Sequence, residues 1–325
     1  MDILITGGGG MIGRKLVERL ARDGTLNGRK IDRVTLQDVV EPVGPADAPF
    51  AVETRVTDLS APGEADTLLE NTPDVIFHLA AVVSGEAETD FDKGYRVNLT
   101  GVLNLLEAAR RAGNVPRIVF ASSIAVYGAP FPEPIPDDFF HQPLTSYGTQ
   151  KACAELLLAD YTRKSLVDGI GIRLPTVCIR PGKPNKAASS FFSGILREPL
   201  AGVDAVCPVD ETVRHWVASP RAATQFLIHA AGLDGDKVGP RRNLSMPGHC
   251  VSIREMLDAL RRVAGDKVAD RVTFVPDDFI RGIVAGWPQN FATDRALSLG
   301  FEADPDFDSI IRYHIEDELG GKVAD

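Results

Sequence analysis

Within its first twenty-four residues the chain runs from a short apolar segment, Asp2-Ile3-Leu4-Ile5, through Thr6-Gly7-Gly8-Gly9-Gly10-Met11-Ile12-Gly13, into the amphipathic stretch MIGRKLVERLARDG. Few folds accept that order. Gly7 permits a tight turn, Gly10 lets a pyrophosphate approach the backbone, and Gly13 lets the following helix pack closely on the strand. The start of that helix offers unpaired N–H groups and the positive end of its dipole to phosphate oxygens. A plain glycine turn would need none of this context. Strand, turn and helix together read as a dinucleotide-binding fingerprint lined by Gly7, Gly10, Met11, Ile12 and Gly13.

The same rhythm continues. RVTLQDVV, PDVIFHLAAVV, RIVFASS and GIGIRLPTVCI read as strands, and VNLTGVLNLLEAARRAG and SYGTQKACAELLLADYTRK read as helices between them. Short apolar strands alternating with amphipathic helices predict a parallel sheet covered on both faces. The expected fold is therefore α/β, a Rossmann-type doubly wound parallel sheet with a smaller C-terminal substrate lobe. After about residue 180 the alternation fails, and Pro181, Pro184, Pro199, Pro208 and Pro220 punctuate loops and short elements. Residues 1–180 are expected to form the dinucleotide domain, with a later segment near 210–245 returning to it. Residues 181–325 mainly build a discontinuous substrate-binding lobe that includes SIREMLDALRRVAG as a helix and RVTFVP as a strand.

Asp38 ends the second strand, where a carboxylate can accept hydrogen bonds from both adenosine ribose hydroxyls and would repel a 2′-phosphate. Val39 and Val40 follow it with no adjacent arginine, so NAD is expected over NADP. The formal net charge of −10 argues against a nucleic-acid or anionic-membrane partner. No apolar run reaches the length of a membrane span and the N-terminus enters a strand, so a cytoplasmic protein is expected. Cys153, Cys178, Cys207 and Cys250 lie far apart, and the histidines form no ligand-spaced pair, so no metal is expected.

Tyr147 and Lys151 stand four apart in SYGTQKA and so share one helix face. A tyrosine is a poor base near neutrality, but an ammonium close by favours its phenolate. Ser123, at the end of RIVFASS, can hold the same substrate oxygen whose proton Tyr147 exchanges.

The combination of TGGGGMIG, Asp38, Asp58-Leu59, HLAA at 78–81, Asn98, ASSIAVYG and YGTQK resembles the extended short-chain dehydrogenase/reductase family, which includes nucleotide-sugar epimerases. RLPTVCIRPG, VRHWVASPRAA and FATDRALSLGF extend the resemblance over nearly the whole chain. It implies that Asp58 and Leu59 border the adenine, that Leu79, Ala80 and Ala81 line the cofactor groove, and that Asn98 orders the site. It also implies that Lys151 holds the nicotinamide ribose and that the Val177 backbone meets the carboxamide. Ser123, Tyr147 and Lys151 would be catalytic, with hydride passing from a carbinol carbon to NAD.

The substrate pattern departs from that of the sugar-nucleotide enzymes. Arg214-His215-Trp216-Val217-Ala218-Ser219-Pro220 keeps the family's arginine but loses polar neighbours, and residues 180–202 replace the usual nucleotide loop with a cationic, small-residue stretch. Ile124-Ala125 stands where sugar dehydratases carry an acidic pair, so dehydration is not expected. The remaining pattern resembles the branch that oxidises the 2-hydroxyl of a four-carbon sugar acid. Arg214 and Arg180 are the candidates to clamp such a small anionic sugar-acid substrate, with Ser84, Ser122, Thr176 and Asn185 available for its hydroxyls. His215 and Trp216 could cap the pocket or lie in the core. A nucleotide-sugar 4-epimerase and a uronate dehydrogenase are the rival enzymes. A non-catalytic NAD-binding regulator is disfavoured because Ser123, Tyr147 and Lys151 are all present. The two long apolar helices could pair in a homodimer, although burial on the sheet explains them equally well.

Overall fold

A computed structural model describes residues 1–182 and 189–324. Six strands are laid down in order: β1 (Asp2–Thr6), β2 (Arg33–Asp38), β3 (Ala51–Val56), β4 (Val75–His78), β5 (Arg117–Ser123) and β6 (Asp168–Leu174). Strands β7 (Thr176–Val177) and β8 (Arg214–Ala218) then leave this sheet, β9 (Asn243–Ser245) returns to it, and β10 (His249–Ser252) joins β7 and β8 in a small second sheet. The large sheet has the order β9-β6-β5-β4-β1-β2-β3, with every pair parallel. This is the doubly wound α/β sheet that the first-half rhythm predicts.

Central strands are apolar on both faces because helices cover both. In β1, Ile3, Leu4 and Ile5 are all buried, with Ile3 and Ile5 facing one helical layer and Leu4 the other. Helix α1 (Met11–Asp23) buries Leu16, Val17 and Leu20 on the sheet and stops at Gly24, whose left-handed φ of 64° lets its N–H bond back to Leu20. On the opposite face lie α2 (Gly101–Ala112) and α3 (Ser146–Arg163), the latter capped by the Thr145 hydroxyl on the Gly148 N–H. Helix α2 is entered through one π-helical turn, Arg96–Thr100, so the segment read as a single helix changes pitch at its start.

GIGIRLPTVCI, read as one strand, is two. Pro175 lacks the N–H that a central ladder needs, so β6 ends at Leu174 and the chain crosses to another sheet at Thr176. Beyond it a separate apolar core forms from Cys178, Phe192, Leu196, Ile253, Met256 and Ile310. Its main helices are α4 (Ser190–Leu200), α6 (Ile253–Ala264) and α7 (Phe307–Glu318), with α5 (Pro220–Gly232) packed on the first core instead. Residues Ala218, Phe226, Leu244, Met246, Ala296 and Phe301 also belong to that first core. RVTFVP contributes the strand Val272–Phe274, which pairs in parallel with Ala205–Cys207.

The order reverses around β1, which lies between β2 and β4, and this opens the crevice where doubly wound sheets bind ligands. Registers Thr6↔His78, His78↔Phe120 and Ser123↔Leu174 align the carboxyl ends of β1, β4, β5 and β6 along that crevice.

Candidate active site

The glycine turn lies at the carboxyl end of β1. Gly7 has φ of 74°, and a Cβ there would sit 2.7 Å from the Ala80 nitrogen; a Cβ on Gly13 would sit 2.4 Å from the Gly7 carbonyl oxygen. Both positions are closed to side chains by the protein's own backbone. At Gly10 a Cβ would meet only the Gly7 oxygen, at 3.2 Å, so open space lies on that side of the turn. Helix α1 has Gly10 at its N-cap, with no side-chain cap and no acid in its first turn, leaving its first N–H groups and dipole for an anion. Met11 and Ile12 form the first turn of that helix.

Asp38 is half-buried, with one carboxylate oxygen 2.9 Å from the Gly9 nitrogen and the other 2.7 Å from the Val39 nitrogen. That pairing fixes the carboxylate beside the glycine turn, as a ribose contact requires. These features fit a dinucleotide: an open cradle of N–H groups, a helix terminus and an acid one strand away. Asp58 accepts from the Ser60 nitrogen at 2.9 Å and pairs with Arg96. Burial would raise its carboxyl, but hydrogen bonds from Ser60 and Arg96 outweigh that and hold it below the usual carboxylate range. The Leu59 side chain is buried in the core, and its carbonyl accepts from Asn104. Leu79 and Ala80 are half-buried beside Gly7, and Ala81 is exposed.

Asn98, on the π turn, is buried and clamps Val82 from both sides, accepting from its nitrogen at 2.9 Å and donating to its carbonyl at 3.2 Å. It also donates to Gln150 on α3 at 2.7 Å. The residue thus ties the segment after β4 to the helix that carries Tyr147.

Ser123 closes β5, and its hydroxyl accepts from the Ala125 nitrogen at 3.1 Å. Tyr147, in the first turn of α3, lies beside Ser123, whose hydroxyl favours its ionised form. Gly148 makes this approach possible, because a Cβ there would lie 2.1 Å from the Ala125 carbonyl oxygen. Lys151, one turn on, is buried and donates to the Ala121 carbonyl at 2.8 Å; its nitrogen lies 4.7 Å from the Phe120 ring centre and 5.7 Å from that of Tyr147. Burial pushes the Tyr147 hydroxyl up to about 12 against the hydrogen bond from Ser123, and pushes Lys151 down to about 8 against the attraction of Glu155. In the cofactor-free protein, desolvation is the largest influence on both groups.

Under Lys151 lies a network that sequence reading missed. Glu155, one further turn along α3, is fully buried and receives Arg173 Nε at 3.0 Å, Arg173 Nη2 at 2.8 Å and the Ser122 hydroxyl at 2.5 Å; His141 Nε2 lies 3.1 Å away. Burial would raise this carboxyl, but Arg173 and His141 keep it lowered and charged. The signal was present as Tyr147, Lys151 and Glu155 at four-residue spacing. Ser122 was expected to face substrate. Strand alternation instead turns its hydroxyl into this network, away from Ser123.

The two candidate arginines differ. The Arg214 side chain is 45% exposed and reaches Glu133 only at 3.5 Å, as surface pairs do. Arg180 is half-buried, and burial and repulsion from Arg197 lower its pKa. No ion pair links Arg180 to an acid among the described residues. Ser84 is half-buried at the start of the short helix Ser84–Thr89, Val177 pairs with Ala218, and Thr176 bonds His215 Nε2 at 2.6 Å. Both His215 and Trp216 are buried, with the Trp216 indole donating to the Met246 carbonyl at 3.2 Å, so neither caps a pocket. Asn185 lies outside the described residues. Among the described residues there is no metal-ligating cluster and no helix long and apolar enough to cross a membrane.

The model of the NAD dependent epimerase/dehydratase family matches residues 3–223. The chain is 50% identical to D-erythronate dehydrogenase of Cupriavidus necator, over 98% of each chain. It is 43% identical to D-erythronate dehydrogenase of Haemophilus influenzae, over 98% of this chain and 100% of that one. A solved structure described as the nucleoside-diphosphate-sugar epimerase from Agrobacterium tumefaciens superposes with a TM-score of 0.97, at 58% identity, covering 100% of this chain and 96% of the other.

Proposed function

Because the chain belongs to the NAD dependent epimerase/dehydratase family, whose model matches residues 3–223, we propose that it oxidises the 2-hydroxyl of a small sugar acid, D-erythronate or a close analogue, to the 2-oxo acid. NAD is its cofactor. The carrying observation is the likeness to two D-erythronate dehydrogenases end to end, joined to the grouping of Ser123, Tyr147 and Lys151 at the carboxyl ends of the strands.

Gly7 to Gly13 and the start of α1 would hold the pyrophosphate, and Asp38 the adenosine ribose, with Lys151 at the nicotinamide ribose. When bound, NAD supplies the hydride acceptor and, in its oxidised form, a positive charge near the reacting carbon. Tyr147 accepts the hydroxyl proton as the carbinol carbon gives up hydride, so the C–H and O–H bonds break and a C=O bond forms. Ser123 steadies the same oxygen. With its hydroxyl held near 12, Tyr147 is almost wholly protonated near neutrality in the free protein, so its ionised form needs cationic help from Lys151 and the oxidised cofactor, and oxidation is expected to quicken as pH rises from neutrality.

The test is NADH formation from a panel of four- to six-carbon aldonic and uronic acids. Tyr147→Phe is expected to lower turnover at least about 1000-fold while NAD still binds. An unchanged rate would remove Tyr147 from the chemistry. The likeness to a structure described as a nucleotide-sugar epimerase supports a second reading. An epimerase would retain NAD through purification and release no NADH on sugar acids, and that result would sink the dehydrogenase reading.

A further inference from the structure

Thr176 and His215 share one hydrogen bond, and the surroundings of the imidazole decide which partner donates. His215 is buried, stacked on Phe192 at a 4.4 Å ring separation and flanked by Trp287 at 5.4 Å. Burial pushes its pKa down to about 3, so the ring is neutral and carries one N–H. Its Nδ1 has no partner among the described residues, whereas its Nε2 lies 2.6 Å from the Thr176 hydroxyl oxygen. A hydrogen on Nδ1 would be a donor buried among aromatic rings with nothing to receive it. A hydrogen on Nε2 is satisfied by Thr176 and leaves only a lone pair facing the rings, the less costly arrangement.

Thr176 Oγ1 is then the acceptor in this bond, and its own hydrogen must point elsewhere. His215 is its one hydrogen-bond partner among the described residues. Thr176 is half-buried and lies two positions beyond Leu174, the register partner of Ser123. Chain connectivity therefore keeps its backbone within about 12 Å of that of Ser123, just beyond the carboxyl end of β6.

We propose that His215 fixes the Thr176 hydroxyl as a hydrogen-bond donor to the carboxylate of the substrate. The proposal rests on the sugar-acid reading given above. A carboxylate accepts and cannot donate, whereas a hydroxyl does both, so a donor of fixed direction favours the acid. Arg180 follows four residues later, half-buried and without an acidic partner among the described residues, and supplies the matching charge. His215 is a positioning residue in this scheme, acting through Thr176.

The experiment uses D-erythronate with NAD in the full-length protein. His215→Phe keeps the ring stack and removes the donor; His215→Gln restores an N–H at the ε position; Thr176→Val removes the hydroxyl with little change of shape. His215→Phe and Thr176→Val are each expected to raise KM for D-erythronate about 10-fold or more, with kcat changed less than about threefold. NAD affinity, read by cofactor titration, should not change in either. The double variant should be no worse than the poorer single one, and His215→Gln should recover most of the loss. A wild-type KM in Thr176→Val, additive losses in the double variant, or NAD affinity falling in step with KM would each overturn the proposal. Should His215→Phe not fold, Thr176→Val against His215→Gln still decides it. A wild-type protein silent on every sugar acid overturns the functional reading and this inference together, whereas a working enzyme indifferent to Thr176→Val overturns this inference alone.

Discussion

Lys151 holds an ammonium almost out of water, with the Ala121 carbonyl as its hydrogen-bond acceptor, and this shapes the protein's response to pH. Its pKa falls from 10.5 to about 8 on folding, so between those values the unfolded chain binds more protons than the folded one. Stability must therefore rise with pH across that window, by up to about 3 kcal/mol from this group. Tyr147, raised from 10 to about 12, acts oppositely: between those values the folded chain binds more protons than the unfolded one, so stability falls as pH rises across that window. Lys151→Met should abolish the Lys151 contribution and stabilise the cofactor-free protein near about pH 7 by about 1–3 kcal/mol, while ending turnover. Urea denaturation at a series of pH values checks this, and a variant no more stable than the parent would refute it. Gly13→Ala presses a methyl against the Gly7 carbonyl and should cost about 2–4 kcal/mol and remove the thermal shift that NAD confers, measured by melting with and without cofactor. Glycine spacing made this position legible in the sequence. Gly148 was not legible, because its need arises from a carbonyl twenty-three residues away that only the folded turn brings near.

Among the elements, α3 carries most of the proposed site, since Tyr147, Lys151 and Glu155 follow one another a turn apart along it. Sequence reading found the first two and missed the third. The reason is physical: Gln150, Lys151 and Glu155 are all buried, so the helix has no clean apolar stripe and its inward polar groups look like a solvated face. Arg173 on the adjacent strand, with His141 and Ser122, makes a buried Glu155 tolerable, and pairing across elements is invisible before the fold is known. Glu155→Gln should cost about 3–5 kcal/mol by leaving Arg173 unbalanced, and should lower the pKa of Lys151 further by removing its attraction. Guanidine melts and the pH profile of cofactor-free stability read these two effects separately. Strands and helices of the first half were legible because short continuous apolar runs alternate there with strong helical patterns. The break at Pro175 and the π turn at Asn98 were not, because each is a local exception imposed by neighbours.

At the scale of the whole molecule, the sheet was readable and the second lobe was not, since its core is gathered from short pieces far apart in sequence. Asp304 illustrates how the pieces are tied. It is buried and accepts both the nitrogen and the hydroxyl of Ser219, the residue that caps α5. Asp304→Ala leaves those donors unmatched and should destabilise by about 2–4 kcal/mol, seen as a lower denaturation midpoint with an unchanged slope. The chain builds the second core from Cys178, returns to the first by Ala218, leaves again by Val251, comes back at Ala296 and Phe301, and ends in the second with Phe307 and Ile311. Recombination between relatives must respect that itinerary. A chimera joined once near residue 178 would fill the sheet's own core with a stranger's α5 and β9 and should misfold, whereas an exchange that follows each return could transplant substrate preference while leaving the oxidising machinery untouched.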